Sequence, residues 1–158
     1  MLSLKSKNLP RTTHPKNKER MMEKENLKKL LELPIRPFWA QMDALGHINN
    51  SVYFTYCEQA RIEWFGKIGL GDALSGKAKF GPVVVNASCT FLKPVVYPCD
   101  IKVILYAEKP GRSSFMAHYE ITDGETLYTT GSSKIVWVDF EKGKSVEIPE
   151  RIRELVTE

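Results

Sequence analysis

The 158 residues, 42% hydrophobic and 27% charged, fit one globular domain and exclude wholesale disorder. No apolar run approaches the ~18–20 residues of a membrane span, and Cys57, Cys89 and Cys99 are too few and too far apart for a disulfide framework or a zinc site, so they read as reduced thiols of a cytoplasmic protein. The net charge of +4 belongs to residues 1–33, with nine Lys and Arg against four Glu, while the remainder (14 basic, 15 acidic) lacks the basic patch of a nucleic-acid-binding body.

Residues 1–20 offer little to bury and read as a mostly disordered basic extension. They lack the apolar core of a secretory signal; an organelle transit peptide, or a true start at Met21 or Met22, are the alternative readings. Residues 22–33 cluster Leu27, Leu30, Leu31 and Leu33 and predict a short amphipathic helix limited by Pro34, so the extension is drawn as 1–33 and the domain as 34–158. Ile35–Ala40 predicts a strand, placed at an edge by Pro37.

After a turn at Gly46 comes a long helix, from about Asn50 to Lys67. Tyr53, Cys57, Ala60 and Trp64 share a face, and Phe54, Phe65 and Ile68 widen it, which predicts a buried helix. Asn49 or Asn50 can cap its start, and a glycine at 66, 69 or 71 can end it. Beyond Gly81 the apolar period falls to two. Val83–Leu92, Ile101–Ala107 and Ser114–Thr122 read as strands, with Val85, Ala87, Cys89 and Phe91 on one face of the first. Asp123–Gly124 reads as a hairpin turn, Thr126–Phe140 as a long strand with a bulge at Gly131, and Glu150–Val156 as a terminal helix after Pro149.

One sheet of about five strands cannot bury so apolar a helix and still cover its own edges. The fold class is therefore α+β, with a curved antiparallel sheet wrapped around a long central helix and a free edge left for a second copy.

The chemistry-bearing stretch runs from Gln41 to Tyr53. Asp43 lies in a turn seven residues before the helix start, and Gly46 lets the turn form and a substrate approach the backbone. The first N–H groups of a helix are unpaired and can hold the oxygen of a polarised carbonyl, which a nearby carboxylate can attack or present to an activated water. Asp43 and Asn49 also have a purely local reading as turn and cap residues, and spacing leaves both open.

The segment D-A-L-G-H-I-N-N-S-V-Y-F-x-Y-x-E-x-A-R-I-E-W, residues 43–64, resembles the signature of the 4-hydroxybenzoyl-CoA thioesterase-like family of hotdog-fold acyl-CoA thioesterases. Lys109–Phe115 resembles that family's turn-and-strand segment, and the order of elements agrees from about residue 34 to 140. The resemblance implies a hotdog fold, Asp43 as the catalytic carboxylate, and the backbone N–H near Asn50 as the group that polarises the thioester. Gln41 stands where the family usually has a first acid, which keeps the main carboxylate but changes its local charge. His47 then reads as a loop-fixing residue rather than a base. Gly46 and Tyr53 are expected at the substrate, and Lys109, Arg112, Ser113 and Ser114 at the phosphates of coenzyme A, supplied across a dimer interface. Glu58 and Arg61, three apart on the helix, predict an ion pair.

The expected activity is hydrolysis of an acyl-CoA thioester to a free acid and CoA, without metal or cofactor, by a homodimer or a dimer of dimers. The other reading is a non-enzymatic domain that binds acyl chains or acyl carrier protein. Neither nucleic acid nor membrane is expected as a partner.

Overall fold

The computed structural model describes residues 26–157. Its main sheet is antiparallel and runs in the order β1 (Leu27–Ile35), β3 (Ile101–Glu108), β4 (Ser114–Thr122), β5 (Leu127–Asp139), β2 (Phe80–Phe91), with a two-residue β6 (Lys144–Ser145) on β5. The sheet curls around α1 (Asn50–Lys67), as the hotdog arrangement requires. A short α2 (Gly71–Leu74) follows α1, and α3 (Glu150–Thr157) closes the chain.

Alternation explains the inner wall. Val103, Leu105 and Ala107 of β3, Phe115, Ala117, Tyr119 and Ile121 of β4, and Ile135 and Trp137 of β5 are all buried. They meet Tyr53, Tyr56, Cys57, Ala60, Trp64 and Phe65 of α1. Asn49 caps the helix, its Oδ1 accepting from Ser51 N–H at 2.9 Å and from Ser51 Oγ at 2.8 Å. Phe54 and Ile62, each 40% exposed, lie outside this buried face.

The N-terminal expectation needs correction. Leu27–Leu33 is not helix but most of β1, so these residues belong to the sheet; the rest of the extension, residues 1–25, lies outside the described residues. The leucines fit a helical stripe, yet Leu31, Leu33 and Ile35 also alternate, and pairing with β3 buries them against the core. A register shift between Lys29 and Leu31 absorbs the consecutive leucines, and Pro34 is tolerated because β1 pairs on one side only. The strand expected over Ile35–Ala40 ends at Ile35, and Trp39–Gln41 forms a 3-10 turn.

Two smaller corrections concern the long strands. The irregularity of the β2–β5 pair falls between Val84 and Asn86, so Val84 rather than Val85 joins Ala87, Cys89 and Phe91 on the inner face. Gly131 is not a bulge: it pairs regularly with both Cys89 and Tyr119. A Cβ there would lie 3.1 Å from the Ser88 carbonyl and 3.4 Å from the Tyr119 ring, so glycine allows a close approach. The turn at 123–124 forms as expected, with Gly124 at φ +104°.

Candidate active site

The loop between β1 and α1 is a closed hydrogen-bonded turn. Asp43 N–H donates to the His47 carbonyl at 2.8 Å, and Gly46 N–H donates to the Asp43 carbonyl at 3.0 Å. Gly46 sits at φ +76°, where L side chains are disfavoured. Leu45 N–H donates to Asp43 Oδ1 at 2.8 Å, which fixes the carboxylate; Asp43 Oδ2 has no hydrogen-bond partner among the described residues.

Two backbone bonds stitch this loop to its surroundings. Asn49 N–H donates to the Gln41 carbonyl, and Ile48 N–H to the Val95 carbonyl, each at 2.9 Å. Val95 N–H in turn donates to the Tyr53 hydroxyl at 3.0 Å. The segment after β2 is thereby held against the start of α1. Tyr53 is 2% exposed and its hydroxyl is pushed above the usual phenol range by burial, so it serves as a buttress whose ring edge reaches the site.

Between these segments lies an open cleft of about 300 Å³, lined by Asp43, His47, Asn50 and Tyr53 and, across from them, by Phe91 and Lys93. The half-buried carboxylate of Asp43 thus shares one cleft with the first residue of α1. Val52 N–H is taken by the Asn49 carbonyl and Ser51 N–H by the Asn49 side chain, whereas Asn50 N–H has no acceptor among the described residues. An unpaired N–H at the positive end of an 18-residue helix, beside a fixed carboxylate, can bind the oxygen of a carbonyl while the carboxylate delivers a nucleophile.

Gln41 has a defined job in this framework. Its Oε1 accepts from Phe38 N–H at 2.8 Å and from the Tyr56 hydroxyl at 2.7 Å. Burial pushes the Tyr56 hydroxyl up to about 12, so it stays a proton donor to Gln41. His47 fixes the turn through its carbonyl and is one of the residues that line the cleft.

The other expected contacts lie elsewhere. Lys109, Arg112, Ser113 and Ser114 sit at the β3–β4 turn, pinned by α3: Arg153 donates to the Gly111 carbonyl at 3.0 Å and to the Arg112 carbonyl at 3.1 Å. The cleft borders Phe91, whose row across the sheet continues through Thr129 to Ile121. From Ile121 back to Ser114 is about 23 Å at ~3.3 Å per residue, so one protomer does not bring this turn to Asp43. The Glu58–Arg61 ion pair is absent; Arg61 donates instead to the Tyr119 hydroxyl at 3.0 Å, with its guanidinium 5.7 Å from the ring centre. Phe91 and Lys93 line the cleft without a sequence signal, because nothing local in F-L-K-P marks that segment as the wall opposite a loop some fifty residues earlier. Among the described residues no three His, Cys, Asp or Glu side chains gather as a metal site, and no helix is long and apolar enough to cross a membrane.

The family model for the thioesterase-like superfamily matches residues 37–156. The chain is 39% identical to the PA2801 protein from Pseudomonas aeruginosa, whose structure superposes with a TM-score of 0.74 over 80% of this chain and 98% of that one. It is 31% identical to the uncharacterised protein YsmA of Bacillus subtilis over 68% of this chain and 72% of the relative. A thioesterase from Thermus thermophilus, solved with coenzyme A and zinc, is 27% identical and superposes with a TM-score of 0.70 over 81% of this chain and 92% of that one.

Proposed function

Since the chain belongs to the thioesterase-like superfamily and is thereby a thioester hydrolase, we propose that it cleaves acyl-CoA thioesters to a free acid and CoA, with Asp43 as the catalytic carboxylate. The observation that carries this reading is that Asn50, whose N–H has no acceptor among the described residues, lines the same cleft as Asp43, whose carboxylate accepts at one oxygen. The thioester oxygen accepts from Asn50 N–H, so charge developing on it during attack meets the helix dipole. Asp43 either takes a proton from the attacking water or attacks the carbonyl itself to give a mixed anhydride that water then opens. Coenzyme A leaves as the thiolate and is protonated by solvent. The Thermus relative's bound coenzyme A supports the same leaving group here.

The catalytic unit in this reading is a homodimer. β2 is an outer strand of the sheet, and Val84 and Phe91 on its inner face are 37% and 41% exposed. A second copy pairing there covers them and brings its own Lys109, Arg112, Ser113 and Ser114 toward the cleft as phosphate ligands. Gly46 admits the pantetheine arm beside the loop, and Tyr53 backs the thioester.

The test is thiol release from a panel of acyl-CoAs of graded length and polarity, with Asp43→Asn as the paired control. Turnover of at least one member that vanishes in the control is expected. Tight binding across the panel without turnover would replace this reading by the second one, a non-enzymatic domain that holds acyl chains or acyl carrier protein.

A further inference from the structure

One side chain of α3 orients two peptide planes of the β3–β4 turn. Arg153 donates through Nη1 to the Gly111 carbonyl at 3.0 Å and through Nη2 to the Arg112 carbonyl at 3.1 Å. Ile148 N–H donates to the same Arg112 carbonyl at 3.0 Å, and Trp137 N–H to the Ser113 carbonyl at 2.8 Å. A peptide unit is planar and trans, so its N–H points away from its own C=O. The Gly111 and Arg112 carbonyls face one guanidinium. The N–H groups of Arg112 and Ser113, which complete the same two peptide units, therefore face the opposite way. Neither N–H has an acceptor among the described residues. Two successive N–H groups turned to one side of a loop form an anion cradle. A cation on each carbonyl oxygen also polarises the N–H across the peptide and makes it a stronger donor.

We propose that Arg153 is a positioning residue for substrate binding: it holds the Arg112 and Ser113 N–H groups outward as a backbone cradle for a phosphate of coenzyme A. This rests on the reading that acyl-CoA is the substrate and that this turn meets its phosphates. Arg153 acts through the turn and is not itself the phosphate ligand. Its guanidinium faces two carbonyl oxygens and lies 3.6 Å from Glu150 and 3.9 Å from Glu147, so its charge is countered where it stands. The side chains of Lys109 and Arg112 have no carboxylate partner among the described residues, and they add charge to the geometry that the backbone supplies. The mount is firm. Ile152 and Val156 of α3 are buried in the core, and Arg151 Nη2 donates to the Ile68 carbonyl at 3.0 Å beyond the end of α1. The terminal helix, remote from Asp43 in sequence, is in this way coupled to the affinity for substrate.

The full chain is titrated with coenzyme A and with pantetheine, which lacks the phosphates. Arg153→Lys keeps a cation beside Glu147 and Glu150 but has no planar fork to span two carbonyls. It should weaken coenzyme A about tenfold, the worth of one charge-assisted hydrogen bond, and leave pantetheine unchanged. In turnover, KM for an acyl-CoA should rise by the same factor with kcat retained, while kcat/KM for the same acyl group on N-acetylcysteamine stays at the wild-type value. A merely structural loss would lower activity on both thioesters alike. Wild-type affinity for coenzyme A in Arg153→Lys, or equal losses with and without the phosphates, would overturn the proposal. A second measurement needs no variant: the amide resonances of Arg112 and Ser113 in the wild-type chain should shift on addition of coenzyme A and not of pantetheine, and unmoved amides would overturn it as well. The two readings fail separately. Coenzyme A bound in this pattern without any thioester turnover removes the hydrolase and keeps the cradle, whereas turnover of both thioesters undiminished in Arg153→Lys keeps the hydrolase and removes the cradle.

Discussion

At the scale of single residues, the proposed mechanism gives Asp43 and Asn50 different halves of the chemistry, and only one of them acts through its side chain. Asp43→Asn keeps the size of the residue and an oxygen for Leu45 N–H, so the turn survives. The amide cannot act as a base, and kcat is expected to fall at least ~10²-fold, with the circular dichroism spectrum and ligand binding retained; a folded variant of undiminished kcat would remove Asp43 from the mechanism. Gln41 belongs to the scaffold. Gln41→Leu strands Phe38 N–H and the buried Tyr56 hydroxyl and should cost ~1–3 kcal/mol in chemical denaturation, whereas Gln41→Glu keeps both acceptor bonds. That Asp43 and Asn50 share one cleft was legible because turn, cap and helix start are consecutive, and short-range geometry follows from order along the chain. Phe91 and Lys93 were not legible, since they reach the cleft only through the bond between Ile48 and Val95 and the register of β2.

At the scale of elements, periodicity located α1 and the strands of the sheet, because one buried face imposes one period. It failed at β1, where Leu27, Leu30, Leu31 and Leu33 fit a helix and a bulged edge strand equally well; the partner strand decides, and β3 lies seventy residues away. The same pairing has an electrostatic clamp that the sequence does not display. Glu32 of β1 accepts from Lys102 of β3 at 2.7 Å and from Lys29 at 2.7 Å. Those bonds, Lys102's first, hold the Glu32 carboxyl down from its ordinary 4.5 to about 2. A carboxylate whose folded pKa is depressed supports the fold above its unfolded value and loses that support as pH falls toward the folded one. Wild type and Glu32→Gln should therefore differ most in thermal midpoint above pH 4.5 and converge as pH approaches 2. The difference should also shrink in high salt, because the group is solvent-exposed. A gap that widens in acid would mean that Glu32 acts by packing.

At the scale of the whole molecule, a single protomer holds the two proposed parts of the site apart: the cleft of Asp43 borders the row from Phe91 to Ile121, and the turn of Arg112 precedes Ser114, about 23 Å back along β4 by strand rise. Pairing of two β2 edges reconciles them, and sizing with light scattering should give about 36 kDa, twice the 18.0 kDa chain. Val84→Lys places a charge on the uncovered inner face of β2 and should yield monomers with little turnover.

Arg112→Ala should raise KM for CoA substrates with little change in kcat, because a phosphate contact remote from the carbonyl contributes uniform binding. Mixing the two point variants separates sites shared between chains from sites within one. In a heterodimer of Asp43→Asn and Arg112→Ala chains, a shared site joins the intact Asp43 of one chain to the intact Arg112 of the other. After random exchange of subunits, roughly a quarter of all sites are then whole. Activity at low substrate should rise above that of either variant alone, with wild-type KM. If each chain supplies both residues to its own site, no whole site forms on mixing, and kcat/KM stays at the average of the two parents.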